Sequence, residues 1–320
     1  WGMRIPAWKC EECNQWIVTD GQTPKKCPNC NSKKLTQDTD TFDTWFSSGQ
    51  WPFATLKTTK PGDFEKFYST SLMETAYDIL PWWVCRMLML GIFQTKEVPF
   101  KTVYYHGLVR DSKGQKMSKS KGNVVNPIEM VDKYSADAVR MALIFGAAPG
   151  NDLSLAEDKI RGMRNFTNKL WNIARFIDIN RIPASAKASS GKQNNLTIEQ
   201  LNNLATNDVD KKMIDQVEKL TEQTTKHIEK FELNLAAEGL YEFIWHEFAD
   251  KYIEDVKNRI DENSFMILYS CFMIQLRLLH PFTPFITEEI FGKFSGNMLI
   301  TEKWPYYAES PASQRGESEQ

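Results

Sequence analysis

Four cysteines within twenty-one residues set the tightest local constraint in this 320-residue chain. Cys10-Glu11-Glu12-Cys13 and Cys27-Pro28-Asn29-Cys30 are two Cys-x-x-Cys turns separated by thirteen residues. Each turn points two sulfurs into one hemisphere, and two turns brought together complete a tetrahedral thiolate site that suits zinc. The separation is slightly shorter than the commonest ribbon spacing but allows a hairpin between the turns, with Trp16-Ile17-Val18 as strand and Asp20-Gly21 as turn. A redox Cys-x-x-Cys is the competing reading. No thioredoxin-like strand–helix context surrounds either pair, which favours a structural metal. Four sulfurs leave no open coordination position, so Cys10, Cys13, Cys27 and Cys30 are assigned to stability, in a zinc-ribbon-like module over residues 1–38. Such modules also touch RNA, but nothing in these residues demands it.

Composition excludes little beyond the extremes. Hydrophobic residues are 42% and charged residues 25% of the chain, an ordinary globular profile with room for roughly two domains. A net charge of -2 does not decide for or against nucleic acid, since a locally basic face can coexist with a near-neutral total. No apolar run reaches the length of a membrane span, so no membrane partner is expected. Six cysteines, four of them at metal spacing, fit a reducing cytoplasmic setting better than a disulfide scaffold. The start, Trp1-Gly2-Met3, is neither an initiator methionine nor a signal peptide, which suggests that the chain opens inside a larger protein.

Gly114-Gln115-Lys116-Met117-Ser118-Lys119-Ser120-Lys121-Gly122-Asn123 is the most unusual stretch for chemistry. It has no face to bury as a helix or strand, and glycines near both ends let the backbone turn sharply. Lysine ammonium groups are movable point charges suited to a phosphate chain, although a solvated basic loop has the same composition. Before it, Phe100 to Val109 reads as a buried strand. Asp78 can cap a buried helix through Trp83, Cys85 and Leu90, with Pro81 in its first turn. After it, Asn126-Pro127 starts one helix and Tyr134 to Leu143 makes another. Helix, strand, loop and helix in succession predict an α/β layer with parallel pairing, whose ligands sit beyond the strands' carboxyl ends.

From residue 152 the period becomes helical. Met163, Phe166, Leu170, Ile173 and Ile177 mark one long amphipathic helix, and three more are read at 207–231, 236–258 and 263–279. His280-Pro281-Phe282-Thr283-Pro284-Phe285 breaks the last, and a short successor begins at Ile286. Residues 184–195 read as a flexible polar connection, and 306–320 as a disordered tail. Trp171, Phe243, Trp245 and Tyr252 fit core aromatics of such a bundle.

Taken together, Asp43-Thr44-Trp45-Phe46-Ser47-Ser48, the Asp78-Ile79 segment with Trp83, His106-Gly107, Lys116 to Ser120 and Tyr134 to Arg140 resemble the valyl-tRNA synthetases, a family of class I aminoacyl-tRNA synthetases whose signature loop reads Lys-Met-Ser-Lys-Ser. The resemblance runs from about residue 8 to 305. It implies α/β plus all-α architecture: a zinc ribbon, a partial Rossmann-like catalytic domain over 39–150, and an anticodon-binding helical bundle over 151–305. It further implies attachment of valine to its tRNA through valyl-adenylate, with ATP as substrate, Mg²⁺ on the phosphates and structural Zn²⁺. Lys116 and Lys119, foremost Lys119, would be catalytic. His106, Gly107, Met117, Ser118 and Ser120 would meet ATP beside the lysines, while Trp45, Asp78, Ile79 and Trp83 would bind the amino acid. Arg164, Lys169 and Arg175 are candidates for RNA backbone contact. Valine and a valine-accepting tRNA are the expected partners, and the full-length enzyme is expected to be monomeric.

Two family features are absent from the sequence. No His-x-Gly-His occurs among His106, His227, His246 and His280, and the inserted editing domain is missing. The chain is therefore expected to be a C-terminal portion with little adenylate-forming activity alone, because elements of a catalytic unit are not additive. The other readings are an isoleucyl-type fragment and a catalytically silent tRNA- or RNA-binding module. A P-loop ATPase lacks its Gly-x-x-x-x-Gly-Lys-Ser/Thr.

Overall fold

The computed structural model describes residues 2–181 and 196–305, which form two compact units, Trp1–His106 and Gly107–Gln320. The connection read at 184–195 and the tail read at 306–320 lie outside the described residues.

The first unit begins with a small antiparallel sheet of β1 (Ala7–Cys10), β2 (Trp16–Val18) and β3 (Leu35–Gln37), in the order β2-β1-β3. The first cysteine turn closes the β1–β2 hairpin, in register Trp8↔Ile17, and the second lies between β2 and β3. The expected hairpin thus straddles a cysteine turn and does not lie between the two, because the β1 strand itself ends on Cys10. Three short helices follow: α1 (Thr44–Ser48), α2 (Trp51–Thr59) and α3 (Asp63–Phe67). Then β4 (Thr70–Ala76) and β5 (Phe100–His106) pair in parallel, in register from Thr70↔Phe100 to Ala76↔His106. The crossover holds a 3₁₀ turn at Tyr77–Ile79, a π-helical turn at Leu80–Val84, and α4 (Cys85–Thr95).

Three expectations fail here. Asp78 caps nothing, because the 3₁₀ and π turns intervene before α4 begins and its own side chain stays exposed. The β5 strand is only half-buried beyond Phe100. Helix α4 buries Met87 and Gly91 but leaves Met89 70% and Phe93 74% exposed, so it packs on one side only. Apolar composition alone cannot show whether both faces of a helix are covered.

The second unit carries a short parallel pair, β6 (Val109–Arg110) with β7 (Leu153–Ser154), and among its described residues the other regular elements are helices. Helices α5 (Pro127–Tyr134) and α6 (Ala136–Ile144) meet at Ser135, whose φ of 107° breaks what the sequence suggests as one element from Tyr134. They pack on α7 (Glu157–Ile179), and a short α8 (Ile198–Leu204), unforeseen from sequence, is started by a Thr197/Gln200 capping box. The bundle continues with α9 (Asp208–Glu229), α10 (Leu233–Glu242), a π-helical stretch at Phe243–Tyr252, α11 (Ile253–Val256), α12 (Glu262–Leu279) and α13 (Pro284–Ser295). The expected helix over 236–258 is this π-interrupted run. Phe166, Leu170, Ile214, Leu240, Phe248, Phe272 and Phe291 form the centre of one continuous core.

One buried charge ties α9 to the π-helical stretch and to the turn before α12. The Asp210 carboxylate, 1% exposed, accepts both guanidinium nitrogens of Arg259 at 2.8 and 3.0 Å, the Tyr252 hydroxyl at 2.8 Å and the Asn207 amide at 2.7 Å. The Asp210 bond holds the Arg259 guanidinium in its charged form more firmly than usual. A buried pair is costly to break from one side only, since the surviving charge is left unpaired. Asp210→Ala and Arg259→Ala are each expected to lower the stability of this unit by about 3–5 kcal/mol. The double variant should lose less than their sum. Urea unfolding followed by circular dichroism measures both.

Candidate functional site

The cysteine turns are built on one repeated device. In each, the residue after the second cysteine is asparagine in the left-handed region, Asn14 at φ 60° and Asn31 at φ 58°. Asparagine tolerates that conformation better than most residues. The Asn14 amide donates to the Cys10 carbonyl and the Asn31 amide to the Cys27 carbonyl, both at 2.9 Å. The first cysteine amide of each turn donates five residues on, Cys10 to Gln15 and Cys27 to Ser32. The sequence signal for it is Cys-x-x-Cys-Asn, which occurs twice.

The result gathers all four sulfurs within 4.8 Å of one another. Cys10 Sγ lies 3.6 Å from Cys30 Sγ, and Cys13 Sγ 3.6 Å from Cys27 Sγ. A disulfide would need about 2.05 Å. A tetrahedron of zinc–sulfur bonds of about 2.3 Å places sulfurs about 3.8 Å apart. The Gln15 amide leads in pulling the Cys13 thiol down to about 6. For Cys30 the Ser32 amide pulls down, but burial and the other three thiols outweigh it and push the thiol up to about 12. Thiols this close cannot all ionise unaided, and a dication removes that conflict. The donor set therefore fits one tetrahedral, thiolate-loving ion.

The candidate amino-acid residues lie at the carboxyl end of β4 and on helices beside it. Asp43 caps α1 by accepting from the Trp45 amide at 3.2 Å, and pairs with Arg86 of α4 at 2.7 Å. The Arg86 guanidinium, then the Trp45 amide, hold the Asp43 carboxyl below its usual range. Trp83 donates its indole N–H to the Ser48 carbonyl at 3.0 Å, so the segment bearing Trp45 is pinned to the turn bearing Trp83. At Gly49 a Cβ would come within 2.9 Å of Leu90, which sets how closely α1 approaches α4. Trp45, Ile79 and Trp83 are all half-buried. Asp43 and Arg86 were not singled out for this role from sequence.

His106 ends β5, opposite Ala76, and its Nε2 lies 3.0 Å from the Glu74 carboxylate on the neighbouring strand. Gly107 has a steric explanation of its own. A Cβ there would stand 1.8 Å from the Asn151 carbonyl oxygen, where the chain entering β7 passes. The Leu108 amide donates to Asp152 at 2.8 Å, and Arg110 pairs with the same carboxylate.

The lysine loop is shaped by two residues outside its basic core. Asp111 accepts from the amides of Lys113 and Gln115 at 2.9 and 2.8 Å and from the Asn123 side chain at 2.8 Å. Asn123 in turn accepts from the Ser118 amide at 2.9 Å and donates to the Lys116 carbonyl at 3.3 Å. The Asn123 amide, followed by the Gln115 amide, keeps the Asp111 carboxyl ionised below its usual range. Arg110 and Lys116 bridge as in a hairpin, Gly114 turns at φ 74°, and Gly122 at φ 64° leaves a 3₁₀ turn over Lys119–Lys121. Ser118 Oγ lies 3.2 Å from Ser120 Oγ. The Lys116 side chain is exposed, Met117 and Ser118 are half-buried, and Ser120 is exposed. A polar brace thus holds a loop that packing could not. The Asp-Ser-Lys-Gly turn signal at Asp111–Gly114 was available to sequence reading.

Residues 1–156 match the family model for tRNA synthetases class I (I, L, M and V), and residues 210–319 match that for the anticodon-binding domain of tRNA ligase. Residues 1–156 belong to the class I tRNA synthetases. It is 43% identical over 97% of its length to the valine--tRNA ligase of Clostridium tetani, and 45% identical over 91% to that of Dehalococcoides mccartyi strain ATCC BAA-2266. It spans only 35% and 32% of those two proteins, about a third of each. Among solved structures it is similar to the leucyl enzyme LeuRS of Agrobacterium radiobacter K84, in its ternary complex with tRNA and LeuAMS. The TM-score is 0.78 at 21% identity, over 97% of this chain and 42% of that one. Methionyl-tRNA synthetase of Mycobacterium tuberculosis, with methionyl-adenylate, gives 0.55 at 22% identity over 74% of this chain and 46% of that one. These likenesses show the fold. Class I synthetases use ATP, and this synthetase chain has a class I catalytic-type region followed by a helical anticodon-binding region. Among the described residues no helix is long and apolar enough to cross a membrane.

A purified chain is expected to carry one zinc ion, measured by atomic emission. Cys27→Ser should take that content toward zero and expose the amides of residues 7–37 to hydrogen exchange, while leaving the melting of the helical unit unchanged.

Proposed function

We propose that this chain is the lysine-loop-bearing and RNA-binding portion of an enzyme that joins valine to its tRNA. What carries the reading is identity of 43–45% with two valine--tRNA ligases over more than nine-tenths of the chain. Valine in place of isoleucine follows from that similarity. In this reading residues 1–38 are the zinc-ribbon-like module, 39–150 belong to the catalytic domain and 151–305 are the anticodon-binding bundle. Cys10, Cys13, Cys27 and Cys30 hold a structural zinc ion.

The chemistry needs no protein nucleophile. The valine carboxylate attacks the α-phosphate of ATP, the bond to the β-phosphate breaks, and pyrophosphate leaves. A ribose hydroxyl of the tRNA then attacks the valyl carbonyl and AMP leaves. Lys116 and Lys119 stabilise negative charge building on the departing phosphates, and Ser118 and Ser120 donate hydrogen bonds or hold the loop's shape. The Asp111–Asn123 brace supports the reading, since a preformed loop loses less entropy when it closes on nucleotide. Mg²⁺ travels with ATP on phosphate oxygens. His106 and Gly107 sit at the carboxyl end of the parallel pair, where α/β folds place nucleotides. Trp45, Ile79 and Trp83 wall the valine side chain, with Asp78 at the pocket floor. An apolar wall of this kind discriminates one methylene by about 1–3 kcal/mol. Valine and a valine-accepting tRNA are then the partners of the whole enzyme, which acts as a monomer.

The test is valine-dependent exchange of labelled pyrophosphate into ATP. Residues 1–320 alone are expected to give none. Exchange should appear when they are combined with the part of a valine--tRNA ligase that they do not cover. In that reconstituted enzyme Lys119→Ala and Lys116→Ala should each lower the exchange rate about 10²-fold or more with little change in valine affinity. Exchange that appears with isoleucine but not valine would overturn the valine assignment. Its complete absence on reconstitution would leave the RNA-binding module as the better reading.

A further inference from the structure

Two sequence blocks that carry no chemistry, Tyr134 to Arg140 and His280 to Ile286, are interlocked in the structure. Helix α13 begins at Pro284, which has no amide hydrogen, and its N-cap Thr283 makes no side-chain capping bond. The next two amides would be left as the unpaired donors of a helix start. They are taken from across the sequence. Asp137, 3% exposed on α6, accepts from Ile286 at 2.6 Å and from Phe285 at 3.2 Å. One turn further along α6, Arg140 donates to the carbonyls of Pro281 at 3.0 Å and Phe282 at 3.3 Å. The carboxylate therefore meets the positive end of α13, and the guanidinium meets the carbonyls of the turn that follows α12.

The grip is reinforced from the bundle side. His280 bonds Thr287 at 2.9 Å, and Thr287 donates to the Thr283 carbonyl at 2.8 Å, which fixes the turn that Asp137 and Arg140 hold. On the other side α6 follows α5 across Ser135, α5 follows the braced lysine loop in the chain, and Lys133 and Tyr134 both bond Glu157 at the start of α7. The loop-bearing segment and helices α12 and α13, which lie within the matched anticodon-binding region, are thus joined by four hydrogen bonds from two side chains.

We propose that Asp137 and Arg140 are positioning residues: they lock the lysine loop and the RNA-binding bundle into one rigid body, so that RNA held by the bundle presents its acceptor end in register with the activated amino acid. The proposal rests on the functional reading above. Valine activation needs no RNA and should not depend on this joint. Transfer to RNA should, because a misplacement of about 1 Å between reacting groups can cost about 10²-fold in rate.

The experiment uses the reconstituted enzyme and measures pyrophosphate exchange and tRNA valylation side by side. Asp137→Ala and Arg140→Ala should leave exchange within about twofold of the parent and lower kcat for valylation about 10- to 100-fold. Asp137→Asn, which keeps one acceptor in place, should retain more transfer than Asp137→Ala. Should Asp137→Ala fold poorly, exposed-side Arg140→Ala and Arg140→Lys carry the same comparison. Equal loss of exchange and valylation in every variant, or valylation unchanged in all of them, would overturn the joint. A parent enzyme without exchange would overturn the functional reading instead, and the proposal with it.

Discussion

The helical unit depends on a helix that water hardly reaches. Fourteen of the eighteen residues of Glu262–Leu279 are buried, Phe265, Leu268, Phe272 and Leu276 on one side and Ile267, Ile274 and Leu278 on the opposite one. Each such side chain contributes about 1.5–3 kcal/mol when removed from water. A helix apolar all round must be enclosed, so α7, α9, α10 and α13 are arranged about it with their own apolar stripes inward. The helix also fixes where the turn at His280 to Thr283 emerges, and with it the place where α6 can dock. Packing at one end of the unit thereby sets the geometry at the other.

The lysine loop obeys a different rule. It has almost nothing to bury, and its shape comes from a carboxylate and a carboxamide. Asp111 and Asn123 satisfy loop amides and a carbonyl that would otherwise turn to water. Such a brace holds the backbone while leaving the Lys116 ammonium exposed. That division suits the role proposed for Lys116 on a phosphate chain. The cysteine turns use the same economy: two left-handed asparagines and four backbone bonds gather four sulfurs without a core of their own.

Short-range features were legible because their cause is short-range. The cysteine spacing, the Pro127 helix start, the helical period of α7 and the turn at Asp20-Gly21 each arise from a few neighbouring residues. Readings that needed knowledge of the far side of an element went astray. Asp78 looks like a cap, but the intervening turns move the helix start to Cys85. The α4 helix looks enclosed, yet Met89 and Phe93 stand in the open.

By itself, the sequence determined the four-cysteine cluster, the basic loop between two glycines, the parallel pairing and the long helices of the second unit from Glu157 to Leu279. These follow from spacing, backbone freedom and periodicity, which act over a turn or two of chain. Only the tertiary structure decided that Asp111 and Asn123 shape the loop, that Asp210 and Arg259 close the bundle, and that Asp137 and Arg140 grip a turn more than 140 residues away. A hydrogen bond between distant residues leaves no periodic trace, because its partners are chosen by where the packed helices bring them.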